Sequence, residues 1–358
     1  MKTCHWTLFN KSGMNRVAES MVAAERALGH DAILANPQDA ATYERSLDAD
    51  VHISHTHFPD GLRARVTKPL RVVWVSHGTP EHVFQSAAEE GSRKSYGHAD
   101  GWMLCQNWLR TADACVTFWP RHQAILQSLC DRGRVVHCVP LGVDKEFWKP
   151  QPTRGKFAGS PSVFTCENSH YMKWPLDLFI AWPWVYPHLK GEAKLHATYL
   201  PNDQHRWFFP LVNRNGCSYG SYISPLAFDH NDLRNAFCSV DYFIGLVRYG
   251  DFNRLCLEAN ACGEVPGRAR LPSSPDIPGE SASNIEHRTL NIEHRTLKTI
   301  SYAGNPYSDF WVPEGDQRVI AAELIKILNG EVEPRAKTPV PDQRETSEAM
   351  VKIYEGIL

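Results

Sequence analysis

Apolar positions in the first half of the chain fall in short runs that alternate with stretches of helical spacing. "HWTLF" from His5 reads as a short strand. "MNRVAESMVAAERALG" from Met14 reads as an amphipathic helix stopped by Gly29, and "HDAILAN" as the next strand. "ADVHISH" and "LRVVWVSHG" are further buried-strand candidates. "ADACVTFWP", a helix from Pro120 to Cys130, and "RVVHCVPLGV" carry the rhythm on. Strand and helix in alternation predict a parallel sheet covered by helices on both faces.

A Pro-, Gly- and Lys-rich break, "KPQPTRGKFAGSPS", spans Lys149 to Ser162 and reads as a linker. The rhythm then restarts with "VFTCEN", "WPLDLFIAWPWVYPHL", "AKLHATYL", "DLRNAFCSVDYFIGLV" and "RLCLEANACG", and later with "KTISYAG" and "QRVIAAELIKILNG". The pattern divides the chain into residues 1–149, residues 150–340 and a terminal helix over 341–358 that is expected to pack back on the first domain. Two α/β domains of similar size leave a cleft lined by loops at the C-terminal ends of the strands, where such sheets bind ligands.

One stretch breaks the pattern: "NIEHRTLNIEHRTL", Asn284 to Leu297, repeats seven residues without a spacer. Two copies are too few for a coiled coil, which needs about three or four heptads, and too short for a solenoid unit of roughly 20 to 50 residues. The flanks lose periodicity after Glu264 and recover it at Lys298. Residues 265–297 therefore read as an insertion in a surface loop, where added length costs little. An ordinary long loop of the domain is the alternative. Without the segment, a helix ending at Gly263 would run into a strand.

The 358 residues, 42% of them hydrophobic, fit a two-domain globular protein. A net charge of −2 gives no bulk case for nucleic acid as a partner and leaves a peripheral membrane contact open. Ten cysteines without a C-x-x-C pair argue against a zinc module or a disulfide framework, so a cytoplasmic location is expected. The N-terminus lacks a signal-peptide pattern, and no run approaches the ~20 apolar residues of a membrane helix. Most of the seventeen histidines are expected in packing or on the surface.

Five places offer chemistry. Gly13, with Ser12, sits between a strand and a helix start, where backbone N–H groups can approach an anion; a purely geometric turn is the alternative. His77 follows the apolar run "VVWV", placed to bond a sugar hydroxyl or to be satisfied by backbone. "VPLGVDKEFWKP" turns at Gly142 and Asp144 and reads as structural. Lys173 precedes a helix and is placed to meet a phosphate or only solvent. In "LVRYGDFNRLCLEANACG" a strand enters a Gly-containing loop and then a helix carrying Glu258, whose carboxylate can accept both hydroxyls of a ribose or be a capped helix acid.

In order, these segments resemble the family-4 retaining glycosyltransferases (glycosyl transferases group 1). "SGMNRVAESMVAAERALGHDA" is similar to the family's N-terminal glycine loop, "VPLGVDKEFWKP" to its domain-end motif, and "DFNRLCLEANACG" to the second half of its E-x7-E segment. The resemblance implies the GT-B fold: two Rossmann-like domains facing a central cleft, acceptor side first and donor side second. It implies transfer of a sugar, hexosyltransferase-like, from a nucleotide-diphosphate donor to a glycan or other hydroxyl acceptor. Anomeric configuration would be retained, with no cofactor and no obligatory metal, the leaving phosphate taking the hydroxyl's proton. Glu258 would hold the ribose and Lys173 the diphosphate, Gly13 would let the loop approach, and His77 would sit near the reacting sugar. The family's first glutamate falls on Gly250, beside Asp251, and the arginine six positions before the phosphate lysine falls on Glu167. Asp251 with Arg248 or Arg254 would then substitute. A degenerate protein that binds nucleotide or glycan without turnover is the competing reading, and a sugar-nucleotide epimerase a third.

Overall fold

The computed structural model describes residues 1–7, 13–55, 58–59, 61–77, 107–131, 133–151, 157, 159–166, 176–197, 229–246, 254–263 and 297–358. The chain forms two units. The first comprises Met1–Lys145, Val247–Arg254 and Pro339–Leu358, the second Glu146–Leu246 and Leu255–Thr338.

In the first unit the elements are β1 (Lys2–Trp6), α1 (Gly13–Ala27), β2 (Asp31–Ala35), α2 (Ala40–Ser46), β3 (Val51–Ser54), β4 (Val72–Ser76), β5 (Ala114–Thr117), α3 (Pro120–Leu129) and β6 (Val136–Cys138). The strands form one parallel sheet in the order β2-β1-β3-β4-β5-β6. α1 stops where expected: Gly29 takes φ 88°, and the N–H groups of Gly29 and His30 return to the carbonyls of Arg26 and Glu25. β1 lies further towards the N-terminus than "HWTLF" suggests. Cys4 and Trp6 pack into one apolar layer with Ile33 and Tyr43, while Thr3 and His5 on the opposite face are buried by polar bonds to Glu25.

The second unit contains β7 (Ser162–Thr165), α4 (Leu176–Val185), β8 (Lys194–Ala197), α5 (His230–Ser239), β9 (Tyr242–Gly245), α6 (Arg254–Gly263), β10 (Lys298–Tyr302), β11 (Phe310–Val312) and α7 (Gln317–Leu328). Its parallel sheet runs β11-β10-β9-β7-β8. Leu178 and Trp182 of α4 and Ile320 and Leu324 of α7 share one core with Ile244 and Ile300. Gly263 ends α6 against Leu297, just before β10 begins. Leu297, the last residue of the second repeat copy, is buried, because that contact carries it into the domain.

The last helix, α8 (Gln343–Ile357), belongs to the first unit and packs on α1. Asp342 and Glu345 close its N-terminus as a capping box. The turn at Gly142 docks there: Gly142 N–H donates to Thr346 Oγ1 at 2.7 Å, and that hydroxyl donates to the Pro140 carbonyl at 2.8 Å. No helix among the described residues is long and apolar enough to cross a membrane.

Candidate functional site

Each sheet has one place where the chain reverses its direction of growth. In the first unit it lies between β1 and β3, in the second between β7 and β9. Loops leaving the C-terminal ends of such neighbouring strands part to opposite faces and open a crevice, the usual ligand position in open α/β sheets.

In the first unit this end of the sheet is polar. Thr7 Oγ1, Ser54 Oγ and Thr117 Oγ1, at the ends of β1, β3 and β5, are buried without a hydrogen-bond partner among the described residues. Buried hydroxyls in this state mark a surface built to meet polar groups. His77, directly after β4, is half-buried at the same end. Its Nε2 lies 2.9 Å from His55 Nδ1, and His55 Nε2 lies 3.0 Å from His5 Nδ1. His5 Nε2 in turn lies 3.0 Å from Glu25 Oε2. Thr3 Oγ1 donates to Glu25 Oε2 at 2.6 Å and Tyr354 OH to Glu25 Oε1 at 3.1 Å.

Parallel register explains the alignment. His5 is opposite Ile53 across β1 and β3, so His55, two residues on, returns to the same face; Val73 and Val75 of β4 lead to His77 in the same way. Glu25 reaches this layer from α1 because it continues the stripe of Val17, Ala18, Met21 and Val22. Burial pushes the Glu25 carboxyl up, but the His5 charge and the bonds from His5, Thr3 and Tyr354 outweigh it, and the net shift is downward. Burial, then the neighbouring His77 and His5 charges, hold His55 well below the ordinary histidine range. Burial and the Glu25 charge raise the Tyr354 phenol. On the other sheet face Trp6 Nε1 donates to His52 Nδ1 at 3.2 Å, and burial lowers His52 to about 4.

His77 was expected from the sequence, but its three supports were not. A glutamate in register with a helix's apolar stripe was the available signal: four apolar neighbours and one acid on a buried face require a polar partner. Gly13 is the exposed first residue of α1, with nothing within 4 Å of where a Cβ would point.

In the second unit, β9 is the central strand, and α6 is the next described element after it in the chain. Glu258 lies in the second turn of α6, 5% exposed. The helix is held to its sheet through Asn260. Asn260 Oδ1 meets Thr299 Oγ1 of β10 at 3.0 Å and Lys337 Nζ at 2.7 Å, and Lys337 also pairs with Asp309 at 3.0 Å. Arg254, first residue of α6 and grouped with the first unit, donates from Nη2 to Ser20 Oγ at 3.2 Å. Lys173, Arg248 and Asp251, with Glu167 and Gly250, lie outside the described residues. Among the described residues no group of three or more His, Cys, Asp or Glu side chains is arranged to hold a metal ion.

No protein-family model matches the chain, and no curated protein matches it in sequence. Solved structures do match. Sucrose-phosphate synthase from Thermosynechococcus elongatus is 13% identical over 100% of this chain and 99% of its own, with a TM-score of 0.63. HepE of Anabaena, in complex with UDP-glucose, is 12% identical over 100% and 98%, with a TM-score of 0.61. The lipopolysaccharide outer core galactosyltransferase WaaB, in its apo form, is 12% identical over 99% and 100%, with a TM-score of 0.60. At these identities the likeness is one of fold: the chain is a two-domain α/β protein with the GT-B fold of these glycosyltransferases.

Proposed function

We propose that the protein transfers a sugar from a nucleoside-diphosphate sugar to a hydroxyl acceptor, a glycan, lipid or small molecule, with retention at the anomeric carbon. The reading includes no resident cofactor and no obligatory metal. The observation that carries it is Glu258: a carboxylate at 5% exposure, in the helix that follows the central strand, beside the reversal point of the second sheet. A carboxylate there accepts two hydroxyl donors at once, which is what a ribose offers. The likeness to a fold that holds UDP-glucose in HepE supports the same ligand class.

In this proposal Lys173, with Arg248 or Arg254, faces the diphosphate, whose negative charge grows as the glycosidic bond loosens. Asp251 stands in for the glutamate that Gly250 lacks. Gly13 admits the donor phosphates or the acceptor, and His77 meets a hydroxyl near the reacting carbon. The test is calorimetry with UDP and UDP-glucose, then other nucleotide sugars, followed by an assay for released nucleoside diphosphate across an acceptor panel. Binding with release supports transfer. Binding without release across the panel favours a non-catalytic nucleotide-binding protein, the reading that Gly250 and Glu167 motivate. No binding of any nucleotide sugar overturns both.

A further inference from the structure

The helices before and after β9, α5 and α6, lie on one face of the second sheet. Phe237 of α5 packs on Phe243 and Phe164, with ring centroids 5.1 and 5.9 Å away, and Asn260 of α6 bonds Thr299. Phe164, Phe243 and Thr299 are opposite one another across β7, β9 and β10, so they share a face, while Val163, Ile244 and Ile300 serve the core under α4 and α7. α5 ends just before Tyr242, the first residue of β9. α6 ends at Gly263 against Leu297, next to Lys298, and Tyr242 and Lys298 are opposite in register. The last turns of both helices therefore stand at the same end of the sheet.

Each last turn carries a cysteine as its second-last residue, Cys238 in α5 and Cys262 in α6. Both are free thiols, and they hydrogen-bond to each other. The transfer reading uses neither. Their surroundings differ: Cys238 is half-buried, its sulfur 3.8 Å from the Lys149 carbonyl oxygen, while Cys262 is 4% exposed. The bond from Cys262 draws the Cys238 thiol below its ordinary range; burial opposes this, and the Gln151 backbone and the Arg234 charge reinforce it. The same bond, then burial and the charges of Cys238 and Glu258, push Cys262 up. An attackable nucleophile in contact with a buried resolving thiol is the arrangement that disulfide exchange requires.

We infer that Cys238 and Cys262 form a reversible redox couple, closed by exchange with a small-molecule disulfide of the glutathione class, that ties the last turn of α6 to α5. The Cys238 thiol loses its proton, and its sulfur attacks one sulfur of the small disulfide, whose S–S bond breaks to release one small thiolate. Cys262 then loses its proton and attacks the Cys238 sulfur, releasing the second. The two protein thiols are oxidised by two electrons, the small disulfide is reduced by two, and the two protons end on the two released thiols. Glu258 precedes Cys262 by one helical turn, so the tie acts on the helix that carries this carboxylate. The couple goes beyond the glycosyl-transfer reading and does not depend on it.

The experiment is incubation of the full chain with oxidised or reduced glutathione, rapid alkylation of the remaining thiols and peptide mapping by mass spectrometry. The expected product of oxidation is an internal Cys238–Cys262 disulfide that dithiothreitol reopens. Its absence overturns the couple, and so does a lasting glutathione adduct on Cys238 beside an alkylated Cys262. In Cys262→Ser that adduct should accumulate; in Cys238→Ser, Cys262 should stay a thiol, an adduct there overturning the order of attack. Mapping of the unsubstituted chain decides the matter even if neither variant folds. Amide hydrogen exchange reads the effect on the helix: peptides covering Leu255–Gly263 should exchange about tenfold more slowly in the oxidised protein, and unchanged exchange overturns the tie. No nucleotide sugar is used, so the outcome is independent of the transfer assay.

Discussion

Gly263 and Leu297 touch although residues 264–296 separate them: a Cβ on Gly263 would lie 2.6 Å from the Leu297 carbonyl oxygen and 3.3 Å from its Cβ. A single residue can close that gap. Deleting residues 265–296, so that Glu264 alone joins the two, should leave a folded protein with equal or higher Tm, since loop closure shortens at no cost to the packed contact. Calorimetric melting checks this, and an unfolded deletion variant would make the segment part of the domain's structure.

Two glycines separate shape from function. A Cβ on Gly142 would lie 2.2 Å from the Asp342 carbonyl oxygen, with the carbonyl carbon and the Gln343 nitrogen also inside 3 Å. Gly142→Ala should therefore cost about 1–3 kcal/mol of stability by overpacking against backbone that has no free end to move. Gly13→Ala meets nothing within 4 Å and should melt unchanged. If the Gly13 backbone approaches a bound phosphate, the same variant weakens nucleotide-sugar binding, measured by calorimetry, without touching the fold.

The buried His52 predicts a slope of stability with pH. Its folded value of about 4 lies below the ordinary 6.5, so the unfolded chain binds the extra proton first as pH falls. Its contribution is intact above about pH 6.5 and shrinks towards pH 4, roughly 2 kcal/mol between pH 7 and 5. Glu25, shifted downward, stays ionised in the fold through that window and adds only a small loss near pH 5, where the unfolded carboxyl begins to take up protons. Urea unfolding at pH 7 and 5 should show a smaller difference for His52→Phe than for the unsubstituted chain; equal differences would mean that His52 is protonated in the fold.

Glu258→Gln should weaken donor binding by about 1.5–3 kcal/mol, the range for a hydrogen bond to a charged group, with little change in Tm. Lys173→Ala should reduce activity with the diphosphate sugar much more than binding of the bare nucleoside. Unchanged affinity in the first variant, or equal losses for both ligands in the second, would move these residues out of the donor site.

The alternation of strands and helices was legible because parallel strands buried on both faces are written in β-branched and aromatic residues, as in "VVWVS" and "YFIG". Two helix ends and a turn were legible in Gly29, Gly263 and Gly142, where a positive φ or the close approach of another backbone disfavours a side chain. β1 was read too late because Lys2 and Thr3 look like surface letters, and only Glu25, a helix away, makes the burial of Thr3 affordable in free energy. The histidine row was invisible for the same reason. It is assembled from β1, β3, β4, α1 and α8, and no local spacing connects His5, His55, His77, Glu25 and Tyr354.

The attachment of α8 to the first unit has a consequence for synthesis on the ribosome. Chains emerge and fold from the N-terminal end. Yet Thr346, which holds the Gly142 turn, and Tyr354, which meets Glu25, are made after the whole of the second unit. The second unit is therefore complete in sequence before the first can close over its buried carboxylate. Until then α1 presents to solvent the flank that α8 will cover, so the nascent first unit keeps that flank open while the second unit is made.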